Sequence, residues 1–218
     1  MVGRAVRAEQ AGATRQLILT TAERLFAEHG VYAVSNRQVS EAAGQGNNAA
    51  VGYHFGTKAD LVRAIAQRHS ERVEDLRARQ LVALGDSADL RDWVDCLVRP
   101  QFDHLAVLGS PTWYARFCAQ VMTDPALRQI MTGESRASAS LRAIIERRDR
   151  CMPALPDEVR AERGDMARHL IVHTAAERER ALAENRPTPR ASWQDAADGL
   201  VDAIVGMWLA PVTPRGRA

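Results

Sequence analysis

The sequence predicts an all-α fold, and three observations lead to that prediction. Apolar residues recur at helical spacing, and no stretch alternates apolar and polar residues for long enough to indicate a sheet. Aromatic residues make up only 5% of the chain, whereas Ala, Leu and Arg are abundant. The length of 218 residues is enough for one or two domains that bury a sizeable core.

Composition and charge argue against a secreted or membrane-spanning protein. The net charge of +2 is nearly neutral, so any contact with nucleic acid must come from local placement of charge. Residues 1–13 are too polar for a secretory signal, and no apolar run approaches the ~20 residues of a membrane span. The three cysteines, Cys96, Cys118 and Cys151, lie far apart without metal-ligand spacing. We therefore expect a soluble cytoplasmic protein whose thiols are reduced, and we favour buried cysteines over redox sensors.

The first predicted helix runs from its cap, Thr14, to His29, after a flexible arm formed by residues 1–13. Gly30 ends it, because glycine enters the left-handed conformation without steric cost. The apolar stripe follows helical spacing at Ile18, Ala22, Leu25 and Phe26. Arg15 is badly placed for the dipole of a helix that starts here, which suggests an outside partner such as a phosphate.

Two short helices are predicted next, separated by a glycine-containing turn. Ser35 and Gln38 form a capping box that opens the first of them at Asn36, and Gly44 ends it. Asn47 then caps a second helix over residues 48–53. A third helix opens at Thr57, with Asp60 at the matching position of a capping box. This is the layout of a DNA-reading helix-turn-helix.

Base reading is expected at the start of the second short helix. Asn pairs bidentately with adenine in the major groove, and Ala contacts the methyl group of thymine. The candidate readers are therefore Asn47, Asn48, Ala49 and Ala50. The alternative is that Asn47 is only a cap and that Ala49 only packs.

These residues resemble the TetR-type (tetracycline-repressor-like) transcriptional regulators. The resemblance covers about a fifth of the chain, nearly all within its first third. It rests on Thr14-Arg15, Ile18-Leu19, Ala22, Leu25-Phe26-Ala27, Gly30, Ser35, Arg37, Val39, Ala42-Ala43-Gly44, Tyr53-His54-Phe55, Lys58 and Leu61. The chain departs from the family pattern in a turn longer by one residue, at Gln45-Gly46, and in Gly52, where the family usually places an aromatic residue.

The resemblance implies a phosphate clamp formed by Tyr53, His54 and Lys58. Lys58 is the only lysine among 29 basic residues. A cation at a helix N-terminus opposes the dipole, so a purely structural role for Lys58 is disfavoured. The expected DNA-binding residues are Arg15, Ser35, Arg37, Asn47, Asn48, Ala49, Ala50, Tyr53, His54 and Lys58.

A long helix is predicted from Lys58 to about Leu84. At ~1.5 Å per residue it spans ~40 Å, so it begins in the helix-turn-helix domain, residues 14–60, and continues into a second helical domain, residues 61–210. It is thus the lever by which a bound ligand could move the DNA-reading residues. Residues 211–218 form a tail.

The second domain contains further helices over 90–108, kinked or broken near Pro100, from Ser110-Pro111, and from Asp124-Pro125 to Arg150 with a weak point at Gly133. Its aromatic residues either form ordinary core or line an apolar cavity for a small-molecule effector, as the family resemblance implies. The candidate pocket residues are Trp93, Phe102, Trp113, Tyr114, Phe117 and Met122.

The last two helices, from Asp157 to about Asn185 and from a cap at Ser192, are predicted to form a dimer interface. A terminal helix that is apolar over a wide face needs covering by a partner subunit, and the family uses two such helices for dimerisation. The candidate interface residues are Leu170, His173, Val201, Ile204, Val205 and Trp208. His169 and His173 have metal-permissive spacing, but no matched ligand set accompanies them, so neither a metal nor a cofactor is expected.

Together these features indicate a homodimeric DNA-binding repressor that is released from a palindromic operator by a largely apolar effector. An all-helical enzyme or ligand-binding protein without a DNA function is the alternative. It is disfavoured because no phosphate loop, nucleophile elbow or shared carboxylate and histidine set is found. A purely structural interaction module would leave Lys58, Tyr53 and the Asn pair without a purpose.

Overall fold

The computed structural model describes residues 2–213, with side chains for residues 9–133 and 138–213. Every regular element within residues 2–213 is a helix, which confirms the predicted all-α class. The helices in chain order are α1 (Val2–His29), α2 (Asn36–Ala42), α3 (Ala50–Phe55), α4 (Lys58–Leu84), α5 (Leu90–Leu108), α6 (Tyr114–Thr123), α7 (Pro125–Ala137), α8 (Ala139–Cys151), α9 (Asp157–Ala183) and α10 (Trp193–Leu209).

The chain divides into two compact units. Unit 1 comprises Met1–Glu71 and Thr112–Ser135, and unit 2 comprises Arg72–Pro111 and Arg136–Ala218. Helix α4 contributes its first half to unit 1 and its second half to unit 2. The division predicted from the sequence falls at residue 60, whereas this grouping also places α6 and most of α7 in unit 1.

Helix α1 begins at Val2, so the predicted start at Thr14 is wrong. Residues 2–13 contain no proline and include four alanines and two arginines, which favour helix. Their helix propensity outweighs the capping signal of Thr14. The arm predicted over residues 1–13 is therefore helical from residue 2, and the side chains of residues 1–8 lie outside those described.

The capping signals around α2 are confirmed. The Ser35 hydroxyl accepts a hydrogen bond from the Gln38 amide, and the Gln38 side chain accepts one from the Ser35 amide at 2.8 Å. Gly44 has φ +65°, and the amides of Gly44 and Gln45 donate to the carbonyls of Glu41 and Ser40, each at 3.0 Å. These two bonds form a Schellman motif, so the left-handed glycine ends the helix.

Helix α3 differs from its predicted span of residues 48–53. It begins at Ala50 because the Asn47 side chain accepts from the Ala49 amide at 2.9 Å, which caps a turn rather than the helix. It continues to Phe55 and ends at Gly56, where φ is +83°. Helix α3 is thus displaced by two residues from its predicted span and has six residues.

Helix α4 has the predicted bounds. The Thr57 hydroxyl accepts from the Asp60 amide at 3.1 Å, and the Asp60 carboxylate accepts from the Thr57 amide at 3.1 Å, which completes a capping box. In its first turns, Leu61, Val62 and Ile65 are fully buried. Asp60 also lies in the first turn, where a carboxylate complements the helix dipole.

Polar groups join three helices inside unit 1. Glu23 of α1 and His69 of α4 are each 3% exposed, and His69 Nε2 lies 2.9 Å from Glu23 Oε2. The ring of Tyr114, from α6, stacks on the His69 ring at a centroid distance of 3.7 Å. Burial of a carboxylate is costly unless it is paired, so this contact orients α1, α4 and α6 as a set.

Unit 2 is built on the packing of α5 against α10. Phe102 of α5 meets Trp193 of α10 edge to face, with ring centroids 5.7 Å apart. Arg99 joins the two helices through Asp198 at 2.5 Å and also pairs with Asp95. Pro100 lies within α5, which continues without the predicted break.

Two predicted helix boundaries in the second half are wrong. Helix α6 begins at Tyr114 instead of Ser110-Pro111, because Pro111 is compatible with a first helical turn but does not require one. The predicted weak point at Gly133 lies inside α7, and the break falls at Ser138. The Ser138 hydroxyl caps α8 by accepting from the Leu141 amide at 3.0 Å.

Within residues 2–213, no helix combines the length and the apolarity needed to cross a bilayer.

Glu74 makes the stability of unit 2 sensitive to acid. Its carboxylate accepts from the Ser138 hydroxyl at 2.5 Å and from the Ser140 amide at 3.2 Å. Burial alone would raise the pKa of Glu74, but the hydrogen bonds from Ser138 and Ser140, with the nearby Arg77 charge, outweigh it and lower the pKa. A lowered folded-state pKa means stabilisation that is present above the unfolded pKa and lost as pH falls through the folded pKa.

We expect Glu74→Gln to lower the melting temperature at pH 7. The difference from wild type should shrink as pH falls below the ordinary glutamate pKa of 4.5. Thermal unfolding followed by circular dichroism between pH 7 and pH 3 measures this. Glu71→Gln, at an exposed position of the same helix, is the control and should show no such trend. A constant difference at every pH would contradict the assignment.

Candidate nucleic-acid interface

The exposed surface of α3 and the turn before it carries most of the predicted DNA-reading residues. Asn47, Asn48 and Ala49 are all exposed. The Tyr53 side chain, one turn further along, is the most solvent-accessible large hydrophobic side chain described, with 84% exposure. The His54 ring is half-buried and lies 5.0 Å from the Tyr53 ring, edge to face. The amide and aromatic groups thus share one short, uncovered segment.

Ala50 faces the interior. It is 7% exposed, and Val51 beside it is fully buried. The two-residue displacement of α3 turns the Ala50 methyl group towards the core, which removes it from the surface that could meet a thymine. The candidate base readers that remain accessible are Asn47, Asn48 and Ala49.

Ser35 and Arg37 lie at the exposed start of α2. The Ser35 hydroxyl is held by Gln38 in the capping box, at 2.9 Å from Oε1. Arg37 Nε donates to Glu41 at 2.7 Å, and 72% of the Arg37 side chain is exposed. An exposed ion pair of this kind contributes little to stability, so the guanidinium can exchange Glu41 for another anion.

Arg15 has a partner inside the protein. Its Nη1 donates to the carbonyl of His54 at 3.0 Å, and its guanidinium carbon lies 4.2 Å from the centre of the Phe55 ring. Because α1 begins at Val2, Arg15 is not in a first turn, and the dipole argument for an outside partner is wrong. Its guanidinium instead satisfies a carbonyl in the last turn of α3.

Lys58 also has a structural role, contrary to the expectation from the sequence. Its ammonium donates to the carbonyls of Val31 at 3.0 Å and Val34 at 2.6 Å, in the loop between α1 and α2. Burial lowers the pKa of this ammonium. The carbonyls explain why a cation is tolerated at the start of α4. An ammonium has three donors, so one remains beyond the two used here.

Two family models match this chain. The model of bacterial regulatory proteins of the tetR family matches residues 18–65, which contain α2, α3 and the start of α4. The model described as tetracyclin repressor-like, C-terminal domain, matches residues 95–207, more than half of the chain. The chain belongs to the TetR family. This membership confirms the resemblance seen in the sequence and the predicted class, a DNA-binding transcriptional regulator rather than an enzyme.

Individual relatives are similar over different extents. The HTH-type transcriptional repressor AcnR of Corynebacterium glutamicum is 38% identical over 63 residues, which are 29% of this chain and 33% of AcnR. This chain therefore matches only about a third of the length of that relative. The crystal structure of PfmR, a TetR family transcriptional regulator from Thermus thermophilus, shares the fold with a TM-score of 0.51. Its sequence identity is 19%, over 88% of this chain and 96% of PfmR.

The predicted effector-pocket residues of this TetR-family chain are distributed over both units. Trp93 and Phe102 belong to unit 2, and both are fully buried. Trp93 packs with Cys96 and Ile144, and its indole N–H donates to the Ser87 carbonyl at 3.0 Å. These two aromatic residues are therefore part of a packed core, which is the alternative left open by the sequence.

The other four residues of that set belong to unit 1. Tyr114 and Phe117 are buried, and the Phe117 ring stacks on Phe26 of α1 at a centroid distance of 6.4 Å. Trp113 and Met122 are half-buried and keep some accessible surface. A separate open pocket of about 340 Å³ in unit 1 is lined by Arg63, Ala126, Gln129, Ile130 and Gly133.

Half of the predicted dimer residues are buried within their own chain. Val201, Ile204 and Trp208 are at most 1% exposed. The wide apolar face of α10 is covered by α5 rather than left for a partner, so these three residues cannot offer a free surface. Leu170 and His173 on α9 are exposed and Val205 is half-buried, so these three remain candidates.

Met166 is 44% exposed and was not among the interface residues predicted from the sequence. It precedes Leu170 by four residues and His173 by seven, so it lies on the same face of α9. That spacing could have revealed it. The rings of His169 and His173 lie 6.3 Å apart, and no group of three metal-ligating side chains occurs among the described residues.

We expect Lys58→Met to destabilise the protein in the absence of DNA by about 1–3 kcal/mol, because the carbonyls of Val31 and Val34 lose a charged donor. Arg37→Met is the matched control, since it removes a cation from an exposed ion pair and should change stability by about 0.5 kcal/mol or less. Urea unfolding of both variants measures the difference. Equal stabilities would show that the Lys58 bonds contribute nothing.

Proposed function

We propose that this TetR-family chain is a homodimeric repressor that binds a palindromic DNA operator and is released by a small-molecule effector. The observation that carries the proposal is the uncovered surface at α3, where Asn48 and Tyr53 are exposed without covering structure from unit 1. Exposed amides just before a short second helix suit the major groove, and an exposed tyrosine hydroxyl on that helix suits a phosphate.

Base reading and phosphate binding are assigned to different residues within this surface. Asn47, Asn48 and Ala49 contact base edges. The Tyr53 hydroxyl donates a hydrogen bond to a phosphate. The third N–H of the Lys58 ammonium can also donate a hydrogen bond to a phosphate. His54, Arg15, Ser35 and Arg37 flank the surface.

The proposed dimer surface is the exposed stripe of α9 formed by Met166, Leu170 and His173. Leu170 is 38% exposed and Met166 is 44% exposed, although both are apolar. On α10, Val205 is half-buried and Leu209 is 54% exposed. A two-fold axis through such a surface would place the two α3 helices of the dimer, here called the reading helices, on DNA half-sites. These half-sites would lie ~34–36 Å apart or a multiple of that distance.

Effector release depends on α4 in this proposal. Its 27 residues begin beside the reading surface, at Lys58, and continue into unit 2. A ligand that favours one position of this helix would change the spacing of the two reading helices. The family resemblance supports a largely apolar effector, with Trp113 and Met122 as the candidate contacts that retain surface.

Repression and cytoplasmic location complete the proposal. AcnR, which is similar over the DNA-binding segment, is named a transcriptional repressor. Repression by occupying an operator requires the protein to share a compartment with DNA, which places it in the cytoplasm.

Selection of duplexes from a random DNA pool should enrich a palindrome. Asn48→Ala is expected to relax the preference at one position of each half-site, because one bidentate base contact is worth about 1–3 kcal/mol. Lys58→Met is expected to reduce the slope of log affinity against log salt by about 0.9, the effect of one lost phosphate contact. Fluorescence anisotropy with the selected duplex measures both.

Arg63→Met is the control for that experiment, since Arg63 pairs with Asp60 on α4 and is not assigned to the DNA surface. If the selection enriches no sequence even at low salt, the proposal of sequence-specific DNA binding is contradicted. An unchanged salt slope for Lys58→Met would remove Lys58 from the phosphate contacts.

The dimer surface is tested with Leu170→Asp. A buried charge without a partner is costly, so this variant should dissociate a dimer of twice 24.0 kDa into monomers. Val82→Asp, at an exposed apolar position of α4 in the same unit, is the matched control and should stay dimeric. Light scattering after gel filtration gives the masses. A dimer that survives Leu170→Asp would exclude this face.

A further inference from the structure

Helix α3 lacks a capping side chain of its own. Its N-cap residue is Ala49, which has no side-chain acceptor. The residue in the second helical position, Val51, has 0% exposure, so water does not reach its amide. An N-cap side chain normally accepts from the amide at this position or the next, and a buried amide without a partner is destabilising.

The acceptor for this amide comes from another helix. Ser40 of α2 is fully buried, and its hydroxyl accepts a hydrogen bond from the Val51 amide at 3.3 Å. The same hydroxyl donates to the carbonyl of Asn36, one turn earlier in α2, at 3.1 Å. The donated bond fixes the orientation of the hydroxyl, so its lone pair stays directed at α3.

The backbone of Ser40 holds the turn between the two helices as well. Its carbonyl accepts from the Gln45 amide at 3.0 Å in the Schellman motif that ends α2. One buried residue therefore contacts both the start of the turn and the start of the recognition helix. Asn47, which the sequence favours as the cap, is engaged elsewhere, on the Ala49 amide.

We propose that Ser40 is a positioning residue for DNA reading, which caps α3 from the neighbouring helix and so fixes where the exposed Asn48 and Ala49 are presented. The inference rests on the proposed DNA-reading function of that surface. Ser40 is buried and touches no DNA itself. It acts by holding Val51, three residues after Asn48, at a set distance from α2.

A positioning role predicts a selective effect on DNA binding. Contacts to phosphates tolerate small displacements, because they depend on charge, whereas bidentate base contacts depend on geometry. Loss of the Ser40 hydroxyl should therefore weaken binding to the selected operator without weakening binding to random duplex. A general loss of stability would reduce both affinities together.

The test compares Ser40→Ala with Ser70→Ala. Among the described residues, the Ser70 hydroxyl donates to the Gln67 carbonyl within α4 of the same unit. Ser70→Ala therefore makes the same chemical change in α4 instead of α2. Affinities for the selected palindrome and for a random duplex are measured by anisotropy over a range of salt. Hydrogen exchange of the Val51 amide is measured by NMR on each full-length variant.

For Ser40→Ala we expect about a tenfold loss of affinity for the palindrome, because the buried Val51 amide loses its hydrogen-bond acceptor. Affinity for random duplex and the salt slope should not change. The Val51 amide should exchange about tenfold or more faster, while Ser70→Ala matches wild type in every measurement. Ser40→Cys, which keeps the shape and a weak acceptor, should fall between them and serves if Ser40→Ala does not fold.

Two results would overturn the inference. If Ser40→Ala retains wild-type preference for the palindrome, or loses palindrome and random-duplex affinity equally, Ser40 does not position the reading surface. If wild type itself prefers no duplex, the proposed DNA-reading function fails, and the positioning role fails with it. The selection with wild-type protein therefore distinguishes an error in the proposed DNA-reading function from an error in the positioning role of Ser40.

Discussion

Helix α3, the proposed recognition helix, depends on hydrogen bonds from outside itself. A six-residue helix is too short to be stable alone, because nucleation is costly and few backbone bonds follow it. Ser40 of α2 satisfies an amide at its start, and Arg15 of α1 satisfies the His54 carbonyl near its end. Lys58 in turn binds the loop that joins α1 to α2. The order of the proposed DNA-reading surface therefore depends on these contacts from Ser40, Arg15 and Lys58.

The sequence could predict the features that are decided locally. The capping box at Ser35, the left-handed Gly44 and the start of α4 at Lys58 all depend on side chains within a few residues of the backbone groups they satisfy. The same holds for the cap of α10 at Ser192. The fold class followed from the helical spacing of apolar residues, and the family from the resemblance carried by residues in the first third of the chain.

Features decided by distant residues could not be predicted in this way. The Val51 amide at the start of α3 donates to Ser40, eleven residues earlier, and no local rule connects these two residues. Two donors of Lys58 are directed to carbonyls more than twenty residues away. The apolar face of α10 was predicted to meet a partner because its cover, α5, is about a hundred residues distant in the chain. In each case the feature is decided by a tertiary contact, and the sequence alone does not show which distant residues meet.

Lys58 carries the only ε-amino group in the sequence, and that amine lies in the helix-turn-helix domain. Burial lowers its pKa, so a larger fraction than in an ordinary lysine is neutral and nucleophilic. Acylation would remove the charge that holds the carbonyls of Val31 and Val34. Any lysine-directed reagent or modifying enzyme would therefore act on one side chain, and its effect would be confined to the segment that supports the recognition helix.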